Sequence, residues 1–359
     1  MAASEDSRRT ARAWLRLVVL WLAVAYPVSL LLFLIVLRGI GERWALSTMA
    51  LYLPRVPFAL PLPVLTLALL FVRPRWWLLT QLVAALVLLF PLMGLELHGG
   101  RAVAAGAAPL RIFSCNADLG SASFAALAEA ILAAAPDVAL LQEAPAEEAA
   151  GLAPLLPGYV VRGDDQFVIA SKLPIIDAYL APATMQDGIY FRPAFARYRI
   201  GAPGGPIDVY DIHPVSPHGP FGHLIGEGLL HELLSGRFFK NHDGFRRIVQ
   251  NTTVRSREVR AIVEHARSAP YPVLMAGDTN LPTASRLFAT ELGGYQDAFA
   301  QVGWGFGYTF PSRHAPAWLR LDRFLADENF RFVSFSRPDV HVSKHYPVVS
   351  VVERVPKNQ

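Results

Sequence analysis

From Leu17 to Leu37, from Val56 to Val72 and from Trp76 to Leu95 the chain carries no charged side chain. Runs this apolar can satisfy their backbone polar groups in lipid only as helices, and at about 1.5 Å per residue each approaches or spans a hydrocarbon core of roughly 30 Å. Three transmembrane helices are therefore expected. The second is the shortest and carries Pro57, Pro61 and Pro63; a start near Leu51 would lengthen it, and a re-entrant hairpin is the alternative. The first run is too long for a cleavable signal peptide.

Arginines set the orientation. Arg8, Arg9, Arg12 and Arg16 precede the first run, and Arg73 with Arg75 fills the tight turn between the second and third. Short basic segments stay in the cytoplasm, so three crossings place everything after about Glu96 outside it, although Arg38, Arg43 and Arg55 in the first loop oppose that bias. The expected location is the cell membrane, multi-pass, with an extracytoplasmic domain.

The formal charge of +4 belongs to this anchor: of 33 Lys and Arg and 29 Asp and Glu, residues 1–108 hold ten arginines and four acids. The remainder is slightly acidic, which speaks against a polyanion-binding stripe and makes nucleic acid a less favoured partner than membrane lipids or a phosphorylated small molecule. The single Cys115 excludes an intramolecular disulfide.

Composition divides the chain into an anchor (residues 1–97), a small-residue linker (98–108) rich in Gly and Ala, and a domain (109–359) of short apolar strands and helices. Strands are expected at 111–115, 137–142, 167–170, 207–212, 273–276, 321–325 and 348–352, with helices at 123–134 and 252–266. Residues 214–250 read as an insertion with a helical apolar stripe of Leu229, Leu230, Leu233, Leu234, Phe238 and Phe239.

Polar clusters end or interrupt these strands: SCN at Asn116, LLQE at Glu143, DIH at His213, GDTN at Asp278 and Asn280, RLDR at Asp322 and SKH at His345. Strand ends gather groups at one rim of a sheet. Hydrolysis of a phosphoester needs a cation, donors around the developing phosphorane and a base for water. Glu143 is the best candidate Mg²⁺ ligand, with Asp278 beside it to bind metal and to orient or deprotonate water; Mn²⁺ would also serve. Asn116 and Asn280 offer neutral amides to phosphate or water. Asp322 can fix the tautomer of His345, and His213 can donate to a phosphoryl oxygen.

In this order the clusters resemble the endonuclease/exonuclease/phosphatase superfamily across about residues 110–353. The opening Asn corresponds to Asn116, the metal-binding Glu to Glu143, the strand-end His to His213, GDxN to Asp278 and Asn280, the late Asp to Asp322, and the closing Ser and His to Ser343 and His345. Ser171 and Pro174 in IASKLPI, and Thr309 to Pro311, also resemble positions that line the family's site. The resemblance implies an α/β four-layer sandwich, two packed, mainly antiparallel sheets flanked by helices, and Mg²⁺-dependent phosphoric ester hydrolysis. Anchored relatives associated with glycopeptide resistance have a similar layout, which implies a lipid-linked phosphate or pyrophosphate substrate; an extracytoplasmic nuclease or a degenerate phosphate-binding module are the alternatives.

Two positions depart from the pattern. Arg323 follows Asp322 where His or Tyr is frequent, and strand alternation turns it away from the site. Lys344 stands where the family has a metal-approaching Asp. An ammonium about 4 Å from a divalent ion would cost on the order of 8 kcal/mol at an effective dielectric near 20, so it must point elsewhere, to substrate phosphate or solvent, or metal binding is lost.

Overall fold

The computed structural model describes residues 2–118, 123–186, 188–225, 228–313 and 315–355; the side chains of Arg8 and Leu230 lie outside the described residues. Its N-terminal part is a bundle. Helix α1 (Ala2–Gly39) packs on α3 (Pro61–Leu70) and α4 (Leu78–Val87), with α2 (Ala45–Leu51) between α1 and α3 in sequence. Leu30, Leu65, Ala84 and Leu88 meet in the bundle's core. Arg16 of α1, just before its apolar stretch, donates to the Arg73 carbonyl at 2.6 Å, so the start of that stretch and the turn between α3 and α4 lie together.

Two helices, Arg9–Gly39 and Arg75–Leu92, are long and apolar enough to cross a membrane. The middle run is different. Ala45–Leu51 and Val56–Leu70 are bent by 80°, so no continuous helix starts near Leu51. The break has a local cause: Pro54 cannot extend α2, and the Arg55 guanidinium caps it by donating to the carbonyls of Ala50 (2.8 Å) and Leu51 (3.2 Å). Val56–Leu70 alone reaches about 22 Å.

The domain is built from two six-stranded sheets. In chain order the strands are β1 (Leu110–Asn116), β2 (Val138–Gln142), β3 (Val160–Asp164), β4 (Phe167–Ser171), β5 (Ile175–Leu180), β6 (Phe195–Ala202), β7 (Gly205–Ile212), β8 (Val273–Asp278), β9 (Gln296–Asp297), β10 (Asp322–Ala326), β11 (Phe330–Ser336) and β12 (Val348–Arg354). The sheet orders are β11-β12-β1-β2-β4-β3 and β9-β10-β8-β7-β6-β5. Both sheets are mixed: β1–β2 and β7–β8 run parallel inside otherwise antiparallel neighbours.

Side chains alternate across each strand, and the central strands are buried on both faces. Ile112, Leu140 and Ile169 of one sheet meet Val209, Leu274 and Phe324 of the other in the central layer. On the outer faces, Phe113 and Leu141 pack against Leu127 and Ile131 of α5 (Phe124–Ala134), while Tyr210 and Met275 pack against Val259 and Ile262 of α6 (His242–Arg267). This is why the strands read as almost unbroken apolar runs.

The insertion folds onto the N-terminal helical bundle. Leu224, Phe238 and Ile248 share a core with Ala45 of α2, whereas Leu234 and Phe239 stay exposed. Residues 98–108 are hydrogen-bonded along the domain, from Arg101 N–H to the Val333 carbonyl (2.7 Å) and from Ala104 N–H to Glu353 (2.9 Å).

Candidate active site

The two parallel pairs decide where the polar clusters go. A parallel pair aligns strand C-termini, so β1 and β2 end together at Asn116 and Glu143, and β7 and β8 end together at His213 and Asp278. Antiparallel neighbours begin where these end: Asp322 opposes Asp278 in register, and β12 starts opposite Ser114 just after His345. Gly277 lets the chain pass. It adopts φ +143°, and a Cβ there would lie 2.1 Å from the Ile212 carbonyl oxygen.

The centre of the cluster is the Asn116 amide, whose Nδ2 donates to Glu143 Oε1 (3.2 Å) and to Asp278 Oδ2 (3.2 Å). His213 Nε2 lies 3.2 Å from Glu143 Oε1 and 3.7 Å from Asp278 Oδ2. His345 Nε2 is likewise 3.7 Å from Asp278 Oδ2, and its Nδ1 is 2.9 Å from Asp322 Oδ2. Ser343 Oγ ties this segment to β1 by donating to the Asn116 carbonyl at 2.5 Å. Asn280, by contrast, turns its amide inward to the Pro214 carbonyl (2.9 Å), and so fixes the loop. Glu143 and Asn280 both sit at φ +50°, a strained backbone for non-glycine residues and one that clusters at functional sites.

Charge pairing dominates the electrostatics. Burial alone would raise the Glu143 carboxyl, but the hydrogen bond and charge of His213, the Asn116 amide and the field of His345 together hold it at about 2. Burial likewise disfavours charged imidazoles; His345 is nonetheless lifted to about 9 by Asp322, Asp278 and Glu143, and His213 is raised by Glu143 and Asp278. Asp278 is pushed upward, first by burial and also by the charge of Asp322, against the pull of both histidines.

The donor set fits a divalent cation. Asp278, Asp322 and His345 offer ligand atoms all within 4.8 Å of one another, and the buried Asp322 Oδ1 has no hydrogen-bond partner among the described residues. Glu143 lies outside that trio and meets Asp278 through the shared Asn116 amide. Lys344 is turned away. It is largely exposed and pairs with Asp118 Oδ1 at 2.9 Å. Arg323 also faces away, forming with Arg320 a buried cluster on Asp297 at 2.6 and 2.8 Å.

Ser171 and Pro174 do not line this rim. Ser171 pairs with Val138 at the start of β2, whereas Phe167 pairs with Gln142 at its end, so IASKLPI runs toward the opposite edge of the sheet. Thr309 does reach the site, its Oγ1 accepting from the N–H groups of Leu321 (3.1 Å) and Asp322 (3.2 Å). Two participants were not found from sequence. Gln166, in the β3–β4 turn, donates to the Pro193 carbonyl (2.7 Å) and so presents Oε1 to His213 Nδ1 at 2.9 Å, which fixes the proton on Nδ1. Tyr52, in the break after α2, donates to the Asn280 carbonyl at 2.6 Å.

The sequence profile of the Endonuclease/Exonuclease/phosphatase family matches residues 113–345. This chain belongs to that family. The family consists of hydrolytic phosphoesterases and nucleases, typically dependent on a divalent metal. Among solved structures, an endonuclease/exonuclease/phosphatase family protein from Bacteroides thetaiotaomicron is similar at 12% identity and TM-score 0.52, over 70% of this chain and 99% of that one. Humanized D. rerio TDP2 carrying 14 mutations is similar at 18% identity and TM-score 0.50, over 68% and 98%. A mannosyl-6-phosphatase from B. thetaiotaomicron follows at 13% identity and TM-score 0.49, over 68% and 99%. Such identities speak for the fold alone. A search of curated proteins gives no match.

Proposed function

We propose that the chain is a membrane-anchored, divalent-cation-dependent phosphoesterase that hydrolyses a lipid-linked phosphate or pyrophosphate ester outside the cytoplasm. One observation carries the lipid part of this reading: the loop between α1 and the middle apolar run touches the Asp278–Asn280 loop through Tyr52 and the domain through Trp318, whose Nε1 donates to the Tyr52 carbonyl at 3.0 Å. A site whose rim abuts the ends of the anchor helices lies within reach of lipid headgroups. The orientation is supported by Arg16 and Arg73, which share the far end of the bundle. A basic end stays in the cytoplasm, and three crossings, with Val56–Leu70 as a short middle one, leave the domain outside.

Mg²⁺, or Mn²⁺, would be held at Asp278 beside the Asp322 Oδ1 that lacks a partner among the described residues, with the expected ligand Glu143 joining from across the Asn116 amide, and would polarise the phosphoryl group as a Lewis acid. The protein's own groups divide the remaining work. The Asn116 amide holds the Glu143 and Asp278 carboxylates in place, and His213, whose Nε2 lies 3.2 Å from Glu143 Oε1, would donate to a phosphoryl oxygen. His345, with Nδ1 fixed by Asp322, turns Nε2 toward Asp278, and that pair can orient a water and move its proton. Asn280 holds the loop carrying Asp278. The acidic balance of residues 109–359 weighs against a nuclease, and the Lys344–Asp118 pair removes the charge conflict that suggested a degenerate binding module.

The test is a hydrolysis panel on the full-length protein in lipid nanodiscs with Mg²⁺, reading phosphate release from polyprenyl pyrophosphate, phosphatidic acid and nucleotides and strand scission of DNA. Fastest turnover of a lipid phosphate supports the reading. Preferential cleavage of DNA would replace it with the nuclease.

A further inference from the structure

We propose that Tyr52 of the membrane anchor is a positioning residue for the Asp278–Asn280 loop, so that the anchor completes the active site. Three polar groups of Asn280, two on the backbone and one on the side chain, each have a dedicated partner. Its N–H donates to Asp278 Oδ1 (2.8 Å), its Nδ2 to the Pro214 carbonyl (2.9 Å), and its carbonyl accepts from Tyr52 Oη (2.6 Å). The first two partners belong to the domain; the third comes from the anchor. At φ +50°, in the left-handed region that asparagine tolerates better than most residues, Asn280 is further held by these contacts.

The direction of the Tyr52 bond is fixed by its other neighbour. Arg255, fully buried on α6, donates Nη1 to Tyr52 Oη at 2.6 Å, and a guanidinium can only donate. The phenol oxygen therefore accepts from Arg255 and sends its single proton to Asn280. Phe221 packs edge-on against the ring at 5.2 Å, and the Trp318 indole holds the Tyr52 carbonyl, so the phenol has little freedom. From Tyr52 the chain of contacts runs through Asn280 to Asp278 Oδ1, and the other carboxylate oxygen, Oδ2, is the atom shared by Asn116, His213 and His345. Glu42 grips the far end of the same loop, accepting from Ser285 Oγ and from Leu287 N–H at 3.1 Å.

Loss of the phenol hydroxyl leaves a buried carbonyl and a buried guanidinium N–H without their partner, and the loop is the element free to respond. The activity arm of the test rests on the phosphoesterase reading; the exchange arm does not. Full-length wild type, Tyr52→Phe and Arg255→Lys are compared in nanodiscs by hydrolysis of the best panel substrate and by amide hydrogen exchange. Tyr52→Phe is expected to lower kcat about tenfold with KM within about twofold of wild type, the equivalent of ~1.4 kcal/mol in the transition state. Exchange across residues 278–287 should accelerate about tenfold, with β3 unchanged. Arg255→Lys, which keeps a donor to the phenol, should fall between.

Loop exchange in Tyr52→Phe equal to wild type overturns the proposal, whether or not kcat falls, because Tyr52 would then not position the loop. A wild type inert toward every panel substrate would count against the phosphoesterase reading, and loop exchange would still decide the role of Tyr52.

Discussion

Lys344 Nζ lies 2.9 Å from Asp118 Oδ1, on the rim of the cleft and turned from the carboxylates at its centre. The ammonium is thus paired with a carboxylate two residues beyond Asn116, in the turn after β1. An exposed pair of this kind contributes about 0–1 kcal/mol to stability. Lys344→Ala should therefore leave kcat within about twofold and raise KM for an anionic substrate by a few-fold, with the KM effect shrinking as salt is added. Steady-state kinetics at low and high ionic strength check this.

The buried Asp322–His345 pair predicts a pH dependence with a definite sign. Burial opposes the charged imidazole, but the neighbouring carboxylates raise its folded pKa from 6.5 to about 9. Its stabilising contribution is complete below about 6.5 and is lost as pH rises through about 9. With a chelator present, the Tm of the wild type should fall across that window. Asp322→Asn removes the main charge partner and should flatten the fall, as read by thermal melts from pH 6 to pH 10.

Asp297 makes the opposite prediction. It is buried against Arg320 and Arg323, whose charges overcome the burial penalty and hold its carboxyl below the usual range. The stability this contributes is present above the ordinary carboxylate pKa and is lost as pH falls through the depressed one. Asp297→Asn leaves two buried guanidinium groups without a counter-charge and should cost about 3–5 kcal/mol. Chemical denaturation at pH 7 measures the loss, and the variant's acid arm should be shallower.

Topology is tested by fusing reporters after Gln359. An enzyme active only outside the cytoplasm should be active there, and one active only inside should be silent. The reverse pattern would remove the envelope-lipid substrate from consideration.

The site was legible because its strands are buried on both faces: each reads as an apolar run, so a polar residue at its end, such as Glu143 after VALLQ or His213 after DVYDI, stands out. The outer strands were less legible. The edge strand β5 carries Asp177 and Tyr179, and its neighbour β6 alternates Arg197 and Arg199 with apolar residues, so neither has a sharp, unbroken apolar signature. Gln166 escaped because it lies in a polar turn and gains its role only when β4 folds beside β2. Tyr52 escaped for a similar reason: its partner Asn280 is 228 positions away, and a proline-rich break among apolar residues reads as an interruption of a helix. The same break explains why the middle apolar run is shorter in three dimensions than in sequence.

The central claim is that Asn116, Glu143, His213, Asp278, Asp322 and His345 form one hydrolytic centre. Its most direct test is phosphoester hydrolysis by full-length protein in nanodiscs, measured with Mg²⁺, with a chelator, and after Mg²⁺ is restored, for wild type, Glu143→Gln, Asp278→Asn and His345→Ala. The wild type should turn over only with the metal, and each variant should retain its fold while losing on the order of 10²-fold or more in kcat. Metal-independent turnover, or wild-type rates in all three folded variants, would contradict the account.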